Sequence, residues 1–320
     1  MSSSTSSSEI AGFVAALALS LLALGALLGQ LAGLVEYDTA KIDAMMALSG
    51  KDNDIVVVGN SVTAQSYNSQ IVDDSLGTHS YNLATGRQSF VESELILQHY
   101  LKRNDRPRLL LVGIYVNATL DLLSMNPNVY RRLPGDLQRR YRQRSALLAR
   151  PVDPSWCVFN LLGAYRHRTA IEATAKVLIG GTSRLPRDIR GHIAIEYSPS
   201  SLPPPRARNS RLDEYGLRSL LDTASLAGLS VILFEPPNEH GQSERTAGRE
   251  ETLSQLDMLV RDHPAVLGFR SFNDEASLAY APGDWSAPNH LSARGARRFS
   301  EVQIASWVGE HLRELELCHR

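Results

Sequence analysis

The sequence predicts an α/β fold in which a parallel β-sheet is covered by helices on both faces. Short apolar runs rich in Val, Ile and Leu lack the polar alternation of a half-exposed strand, and such runs are typical of strands buried on both faces. Segments with helical spacing of their apolar residues separate these runs. Alternation of strand and helix along a chain favours a parallel sheet with helical crossovers.

The predicted elements follow one another in order. Ile55–Val58 is an apolar run that ends at Gly59, and residues 90–103 carry apolar side chains at helical spacing. The remaining predictions are strands ending near Tyr81 and at 109–112, a helix at 212–227, strands at 230–234 and 266–269, and a closing helix at 294–315. In folds of this class the functional site lies at the carboxyl ends of the strands.

The composition fits a large globular chain. The 320 residues are 43% hydrophobic and 21% charged, which excludes wholesale disorder, a fibrous repeat and a disulfide miniprotein. A formal net charge of −1 gives no reason to expect a nucleic-acid partner. The two cysteines, Cys157 and Cys318, have no metal-binding spacing and could either pair or remain thiols.

The N-terminal part predicts a membrane anchor. Residues 1–9 form a polar tail, and residues 10–35 contain no charged side chain. A helix of that length would span about 39 Å, more than the ~30 Å apolar core of a bilayer. A cleaved signal peptide would have a basic start and a shorter apolar core, so an uncleaved anchor is favoured. Residues 36–53 are then predicted as a stalk before a domain at 54–320.

The charges beside the anchor bear on its orientation. The short N-terminal tail has no Lys or Arg, whereas Lys41 and Lys51 follow the apolar segment. By the positive-inside rule, the side of a membrane segment that carries more Lys and Arg faces the cytoplasm. These two lysines therefore favour a cytoplasmic position for the domain that follows the anchor. The family resemblance described below implies the opposite orientation.

Residues 118–210 interrupt the alternation and are predicted as a mostly helical, basic insertion. Residues 130–210 contain fourteen Arg and one Lys against five acidic residues, an excess of ten positive charges. The remainder of the chain must then carry a formal charge of −11. Two interpretations stay open: a surface facing an anionic partner, such as acidic polysaccharide or lipid headgroups, or a solvated helical face.

Four positions at the predicted strand ends could carry chemistry. Ser61 follows the first strand, Gly86 lies in the loop after the next, Asn117 follows the strand at 109–112, and His290 precedes the closing helix. A serine hydroxyl becomes a nucleophile when a neighbouring base accepts its proton. Backbone N–H groups and side-chain amides stabilise an oxyanion. The set therefore predicts serine-dependent acyl chemistry.

In order and spacing these blocks resemble the SGNH (GDSL-like) hydrolase superfamily. They look most similar to its membrane-anchored branch, which includes alginate O-acetylation proteins and the teichoic-acid D-alanine transfer protein. The similarity covers about residues 54–117 and 212–310 and includes the block from His290 to Gly295. The resemblance implies a flavodoxin-like α/β/α sandwich.

The resemblance also implies a role for each residue of the site. Ser61 matches the nucleophile and His290 the base. The backbone N–H groups of Ser61 and Gly86, with the amide of Asn117, match the oxyanion hole. No metal or organic cofactor is implied.

One departure concerns the acid of the catalytic triad. Family members usually place Asp three residues before the histidine, where this chain has Ala287. Asp284 is the nearest acid and is the predicted third member, with Asp274 as another candidate. The alternative is a slower Ser–His dyad.

Two further features could line a substrate groove. The segment from Glu235 to His240 could do so or could simply terminate a strand, and Trp156 and Trp285 could stack on sugars or pack in the core.

The predicted function is membrane-anchored acyl transfer or ester hydrolysis, with an O-acetyl group and a cell-envelope or secreted polysaccharide as the expected substrates. The resemblance implies a membrane-bound O-acyltransferase partner and a periplasmic domain on the cytoplasmic membrane, and it favours transfer over hydrolysis. The residues themselves leave transfer and hydrolysis open. The alternative is a catalytically silent partner in a polysaccharide assembly or O-acetylation complex.

Overall fold

The computed structural model describes most of the domain. The described residues are 10–17, 19–20, 23, 37–116, 130, 133–147, 187–195, 208–238, 246–273 and 280–318.

Five parallel strands form the central sheet. They are β1 (Ile55–Val58), β2 (Ser80–Asn82), β3 (Leu109–Gly113), β4 (Ser230–Glu235) and β5 (Val266–Ser271). Their order across the sheet is β2-β1-β3-β4-β5, with every neighbouring pair parallel. This is the strand order of flavodoxin-like folds, whose ligand sites lie where the order reverses beside the first strand.

Nine described helices surround the sheet. They are α1 (Tyr37–Ala47), α2 (Ser61–Ser66), α3 (Ser69–Leu76), α4 (Phe90–Leu101), α5 (Gly135–Leu147), α6 (Glu214–Leu226), α7 (Arg249–Asp262), α8 (Ala293–Phe299) and α9 (Ala305–Cys318). A π-helical turn, Ser300–Ile304, joins α8 to α9, so the predicted closing helix is continuous from 293 to 318.

Alternate residues of each strand face opposite layers of helix. In β1, Val56 and Val58 join the apolar cluster formed with α1, α4, α6 and α7. Ile55 and Val57 join the cluster formed with α3, α8 and α9. All four side chains are fully buried. The parallel sheet covered on both faces is therefore confirmed, because each apolar run has two cores to fill.

The segment predicted as a stalk is part of the domain. Within residues 36–53, α1 buries Ile42 and Met45 in the cluster beneath the sheet. The stalk boundary was misplaced because α1 has too weak an apolar periodicity to stand out in the sequence.

The predicted anchor at 10–35 lies mostly outside the described residues. The described part includes helical residues 10–17, whose side chains are exposed. In the described part of the chain, no helix combines the length and the apolarity needed to cross a membrane. The anchor therefore stays a prediction.

Part of the insertion is built into the domain. Within 118–210 a two-stranded antiparallel hairpin, here called the insertion hairpin, pairs Arg187–Ile189 with His192–Ala194. Its turn contacts the edge of the sheet, since the backbone N–H of Asn82 donates to the carbonyl of Arg190 at 3.0 Å. The prediction of a mostly helical insertion therefore missed a β element.

Glycines allow α2 to approach the ends of two strands. A Cβ atom at Gly113, the last residue of β3, would lie 1.9 Å from Thr63 Oγ1 in α2. A Cβ at Gly59 would lie 2.5 Å from the same atom, and Gly59 has φ +153°, a conformation that favours glycine. The first turn of α2 thus lies directly on the carboxyl ends of β1 and β3.

We expect Gly113→Ala to lower the free energy of unfolding by about 1–3 kcal/mol, because the added methyl group overpacks the contact with Thr63. Gly135→Ala is a matched control, since a Cβ there would meet nothing within 4 Å. Chemical denaturation of both variants measures the difference. Equal stability of the two would contradict the proposed close packing.

Candidate active site

Ser61 stands at the junction of β1 and α2. Asn60 caps the helix, and its side-chain oxygen accepts a hydrogen bond from the backbone N–H of Val62 at 3.0 Å. Ser61 is the first helical residue, so its own N–H has no acceptor within the helix. Its side chain is half-buried. The short Gly-Asn-Ser sequence therefore places a hydroxyl at the carboxyl edge of the sheet.

His290 comes from a hairpin near the C-terminus, here called the site hairpin. It pairs Trp285–Ala287 with His290–Leu291 in antiparallel fashion. Ser292 follows directly and caps α8 by accepting from the N–H of Gly295 at 3.3 Å. Leu291 is fully buried. His290 is therefore held between a β ladder and a capped helix.

The structure brings the predicted nucleophile and base together. His290 Nε2 lies 2.9 Å from Ser61 Oγ. This separation is within the range for proton transfer between a nucleophile and its base. An imidazole has an ordinary pKa near neutrality, so it can accept and return a proton at physiological pH.

Gly86 lies in the turn that follows β2. The N–H of the preceding residue, Thr85, donates to the carbonyl of Gly59 at 3.3 Å, which ties the loop to the end of β1. A buried polar network fixes the loop: Thr85 Oγ1 donates to Gln88 Oε1, and Gln88 Nε2 donates to Ser93 Oγ, both at 2.8 Å. Within the described part of the chain the Gly86 N–H has no hydrogen-bond acceptor. Its role as an oxyanion donor stays a prediction.

The third predicted oxyanion donor, Asn117, lies outside the described residues, as does the alternative acid Asp274.

The structure does not bring Asp284 to His290. Asp284 Oδ1 accepts from Arg294 Nε at 2.6 Å, and Oδ2 lies 3.5 Å from an Arg298 guanidinium nitrogen. Oδ2 also accepts from the N–H of Ala281 at 2.9 Å. The carboxylate is 3% exposed and fixes the start of the site hairpin against α8. Two arginines on α8 compete for this acid, so it is not positioned to orient the imidazole.

Two residues near the site have no counterpart in the sequence-based prediction. Gln65 lies one turn after Ser61 in α2, and Ser286 lies in the site hairpin, with Ser286 Oγ 3.2 Å from Gln65 Oε1. Gln65 could have been found from the sequence, because residues four apart share a helix face. Ser286 could not, because its contact with α2 joins distant parts of the chain.

The insertion hairpin supplies a third unpredicted neighbour. His192 is fully buried, and its Nε2 lies 3.0 Å from the backbone oxygen of Gln65. A carbonyl only accepts, so Nε2 carries the proton. Burial lowers the pKa of His192 to about 4; the hydrogen bond to Gln65 acts in the opposite direction, and nearby Lys41 lowers the pKa further. His192 therefore supports α2 as a neutral residue.

Two other predicted groove residues are structural. Glu235 is fully buried and forms a bidentate ion pair with Arg249, with separations of 2.6 and 2.7 Å. Trp285 is buried and packs against Tyr280 with ring centroids 5.4 Å apart. Neither side chain is available as a surface for sugars. Trp156, Cys157, Glu239 and His240 lie outside the described residues.

The described helix of the insertion uses its arginines in two ways. Arg140 and Arg144 of α5 face α4, where they contact Gln98 and Glu94. Arg139 and Arg142 are exposed. Some arginines of the insertion therefore hold α5 against the domain. Only the exposed arginines could contact an anionic partner.

Comparison with known proteins adds little. No protein-family model matches the chain, and no curated protein is similar to it in sequence. Among solved structures, a Streptococcus pneumonia protein provisionally described as a platelet activating factor has 12% identity and a TM-score of 0.37, over 89% of this chain and 96% of that one. A likeness at this level supports no inference about the function of this chain.

We expect Asp284→Asn to lower the free energy of unfolding by about 1–3 kcal/mol, because the buried amide cannot satisfy two guanidinium groups and the N–H of Ala281. Asp74→Asn, at an exposed acid of α3, is the matched control. Thermal unfolding measures both. A stable Asp284→Asn protein in which His290 has moved away from Ser61 would show that Asp284 orients the base after all.

The stability of the domain should depend on the protonation of His192. Because the folded pKa of about 4 lies below the unfolded value near 6.5, only the unfolded chain takes up a proton as the pH falls through this interval. The free energy of unfolding should therefore decrease by ~2 kcal/mol between about pH 7.5 and about pH 5 through this group alone.

Between about pH 7.5 and about pH 5, we expect the free energy of unfolding of His192→Gln to decrease less than that of the unaltered chain. His79→Gln is the matched control, since the His79 side chain is 72% exposed. Denaturant titrations at the two pH values measure the difference. An unchanged pH dependence in His192→Gln would contradict the neutral, buried state of this ring.

Proposed function

We propose that the chain is a serine-dependent acyl ester hydrolase or acyl transferase. The observation that carries this proposal is the 2.9 Å contact between Ser61 Oγ and His290 Nε2. The pair lies at the carboxyl edge of the sheet, beside the first strand, where folds with this strand order place their sites. A nucleophile and a base in hydrogen-bond contact are the minimum for acyl transfer through a covalent intermediate.

The first half-reaction acylates the serine. His290 Nε2 accepts the Ser61 proton while Oγ attacks the acyl carbonyl, which converts the carbonyl oxygen to an oxyanion. The N–H groups of Ser61 and Gly86 would donate to that oxyanion, and one such donor contributes about 10²–10³-fold in rate. The oxyanion then collapses, the ester C–O bond breaks, and the imidazolium returns its proton to the leaving alcohol.

The second half-reaction releases the acyl group. His290 accepts a proton from the incoming hydroxyl, whose oxygen attacks the acyl carbon on Ser61. The second tetrahedral intermediate collapses with return of the proton to Ser61. Water as the acceptor gives hydrolysis, whereas a sugar hydroxyl gives transfer. Exclusion of water by a bound acceptor would favour transfer.

We propose that the chain belongs to the membrane-anchored branch of the SGNH-like superfamily. The support for this proposal is the strand order of the sheet together with the positions of Ser61 after β1, Gly86 after β2 and His290 before α8. On this proposal the substrate is an O-acyl group, specifically an O-acetyl group, of a cell-envelope or secreted polysaccharide.

The proposed setting is the outer face of the cytoplasmic membrane. Residues 10–35 would anchor the chain, and a membrane-bound O-acyltransferase would supply the acyl group. Exposed apolar side chains on the described helical residues support insertion into lipid; they are Ile10, Phe13, Val14, Leu17 and Leu19. Lipid is the environment that such an exposed apolar surface favours.

The alternative function is a catalytically silent partner in a polysaccharide assembly complex. The engagement of Asp284 by Arg294 and Arg298 favours it, because the acid predicted to orient His290 is bound to α8 instead. In a protease triad the loss of that acid costs about 10⁴-fold. The close contact between Ser61 and His290 favours the enzyme.

Hydrolysis of an aryl acetate by the full-length chain in detergent tests the proposal. We expect Ser61→Ala and His290→Gln each to lower kcat/KM by at least about 10³-fold, because either change removes the nucleophile–base pair. The full chain is used because it retains α1, which begins at Tyr37 and packs in the domain.

The matched controls are Ser75→Ala and His79→Gln, which alter an exposed serine and an exposed histidine outside the site. Both should retain the activity of the unaltered chain. Hydrolysis that survives Ser61→Ala would contradict the role of Ser61 as nucleophile. A Ser61→Ala chain that still supports polysaccharide O-acetylation would favour the silent partner.

A further inference from the structure

Ser286 bridges the two elements that carry the candidate catalytic pair. Its Oγ lies 3.2 Å from Gln65 Oε1 in α2, 3.2 Å from the backbone oxygen of His290 and 3.3 Å from that of Leu291. We propose that Gln65 and Ser286 are positioning residues that hold His290 against Ser61. This inference rests on the function proposed above and concerns the same site.

One face of α2 contacts His290 at two points. Ser61 and Gln65 are four residues apart, so their side chains lie on the same side of the helix. Ser61 contacts the imidazole ring, and Gln65 reaches the backbone of His290 through Ser286. Two contacts fix the direction of a residue as well as its distance, which a single hydrogen bond does not.

A continuous bridge requires one particular arrangement of its protons. A serine hydroxyl has one proton, so it can donate to only one of the three oxygens around it. If the terminal amide of Gln65 is rotated by half a turn, Nε2 takes the place of Oε1 and donates to Ser286 Oγ. Ser286 Oγ then donates its own proton to the carbonyl of His290, and both bonds are satisfied.

The Gln65 end of the bridge is sheltered from water. Gln65 is 8% exposed, and its backbone oxygen accepts from the buried ring of His192. Hydrogen bonds in a partly dehydrated site are electrostatically stronger than the same bonds in water. The rigid support on both sides of Gln65 makes its side chain a fixed point for Ser286.

The bridge acts on a different part of His290 from the acid of a triad. An orienting acid fixes the imidazole ring toward the nucleophile. Here Asp284 is held by Arg294 and Arg298, so it does not orient the ring. The bridge fixes the backbone of His290, from which the ring extends, and it adds no negative charge beside the ring.

The first test is kinetic. In full-length chain, we expect Ser286→Ala and Gln65→Leu each to lower kcat for aryl acetate hydrolysis by about 10- to 100-fold with little change in KM, because small misplacement of a base is costly. Ser286→Thr retains a hydroxyl and should restore most of the rate. Ser75→Ala removes an exposed hydroxyl that likewise donates to a backbone carbonyl, and it should change nothing.

A double variant distinguishes one bridge from two separate effects. If Gln65 and Ser286 act as a unit, Ser286→Ala with Gln65→Leu should be no slower than the slower single variant. The midpoint of the pH–rate profile should stay in place, since no charge is altered. The inference would be overturned if the loss of kcat in the double variant equalled the product of the two single losses. An unchanged kcat in Ser286→Ala would also overturn it.

The second test does not depend on activity. In a crystal structure of Ser286→Ala, the distance from Ser61 Oγ to His290 Nε2 should widen from 2.9 Å beyond hydrogen-bond reach. A distance that stays at 2.9 Å overturns the bridge, whether or not the chain hydrolyses esters. An unaltered chain that is inactive on every acyl ester overturns the proposed function alone, so the two failures are distinguishable.

Discussion

The contact between Ser61 and His290 is the interaction on which the proposed chemistry of this domain depends. It joins residues 229 positions apart, one at the end of the first strand and the other beyond the last. The parallel sheet brings every strand end to one edge, so a nucleophile after β1 can meet a base contributed by a distant hairpin. The arrangement of the site is therefore a consequence of the strand order in the sheet.

Packing and ion pairs in the scaffold support this contact. Close approach of Thr63 to Gly59 and Gly113 sets the first turn of α2 on the strand ends. Asp284 holds the base of the site hairpin through arginines of α8, so its charge serves the scaffold. The same side chains thus determine both the stability of the domain and the geometry in which His290 meets Ser61.

The sequence predicted what depends on local pattern. The run at Ile55–Val58 was identified with its bounds, because strands buried on both faces are continuously apolar. Ser61 and His290 were identified from their neighbours in the chain. The position of Asp284 beside arginines, the packing of α1 and the docking of the insertion hairpin were not, because each depends on a partner distant in sequence that no local pattern specifies.

Mass spectrometry of the trapped intermediate tests the role of Ser61 most directly. The full-length chain would be mixed with an activated acetyl ester, quenched in acid and digested. An acetyl group on the peptide that contains Ser61, absent from His290→Gln, is the predicted result. Acetylation only at other residues, or acetylation of Ser61 that is unaffected by loss of His290, would contradict a nucleophile activated by this base.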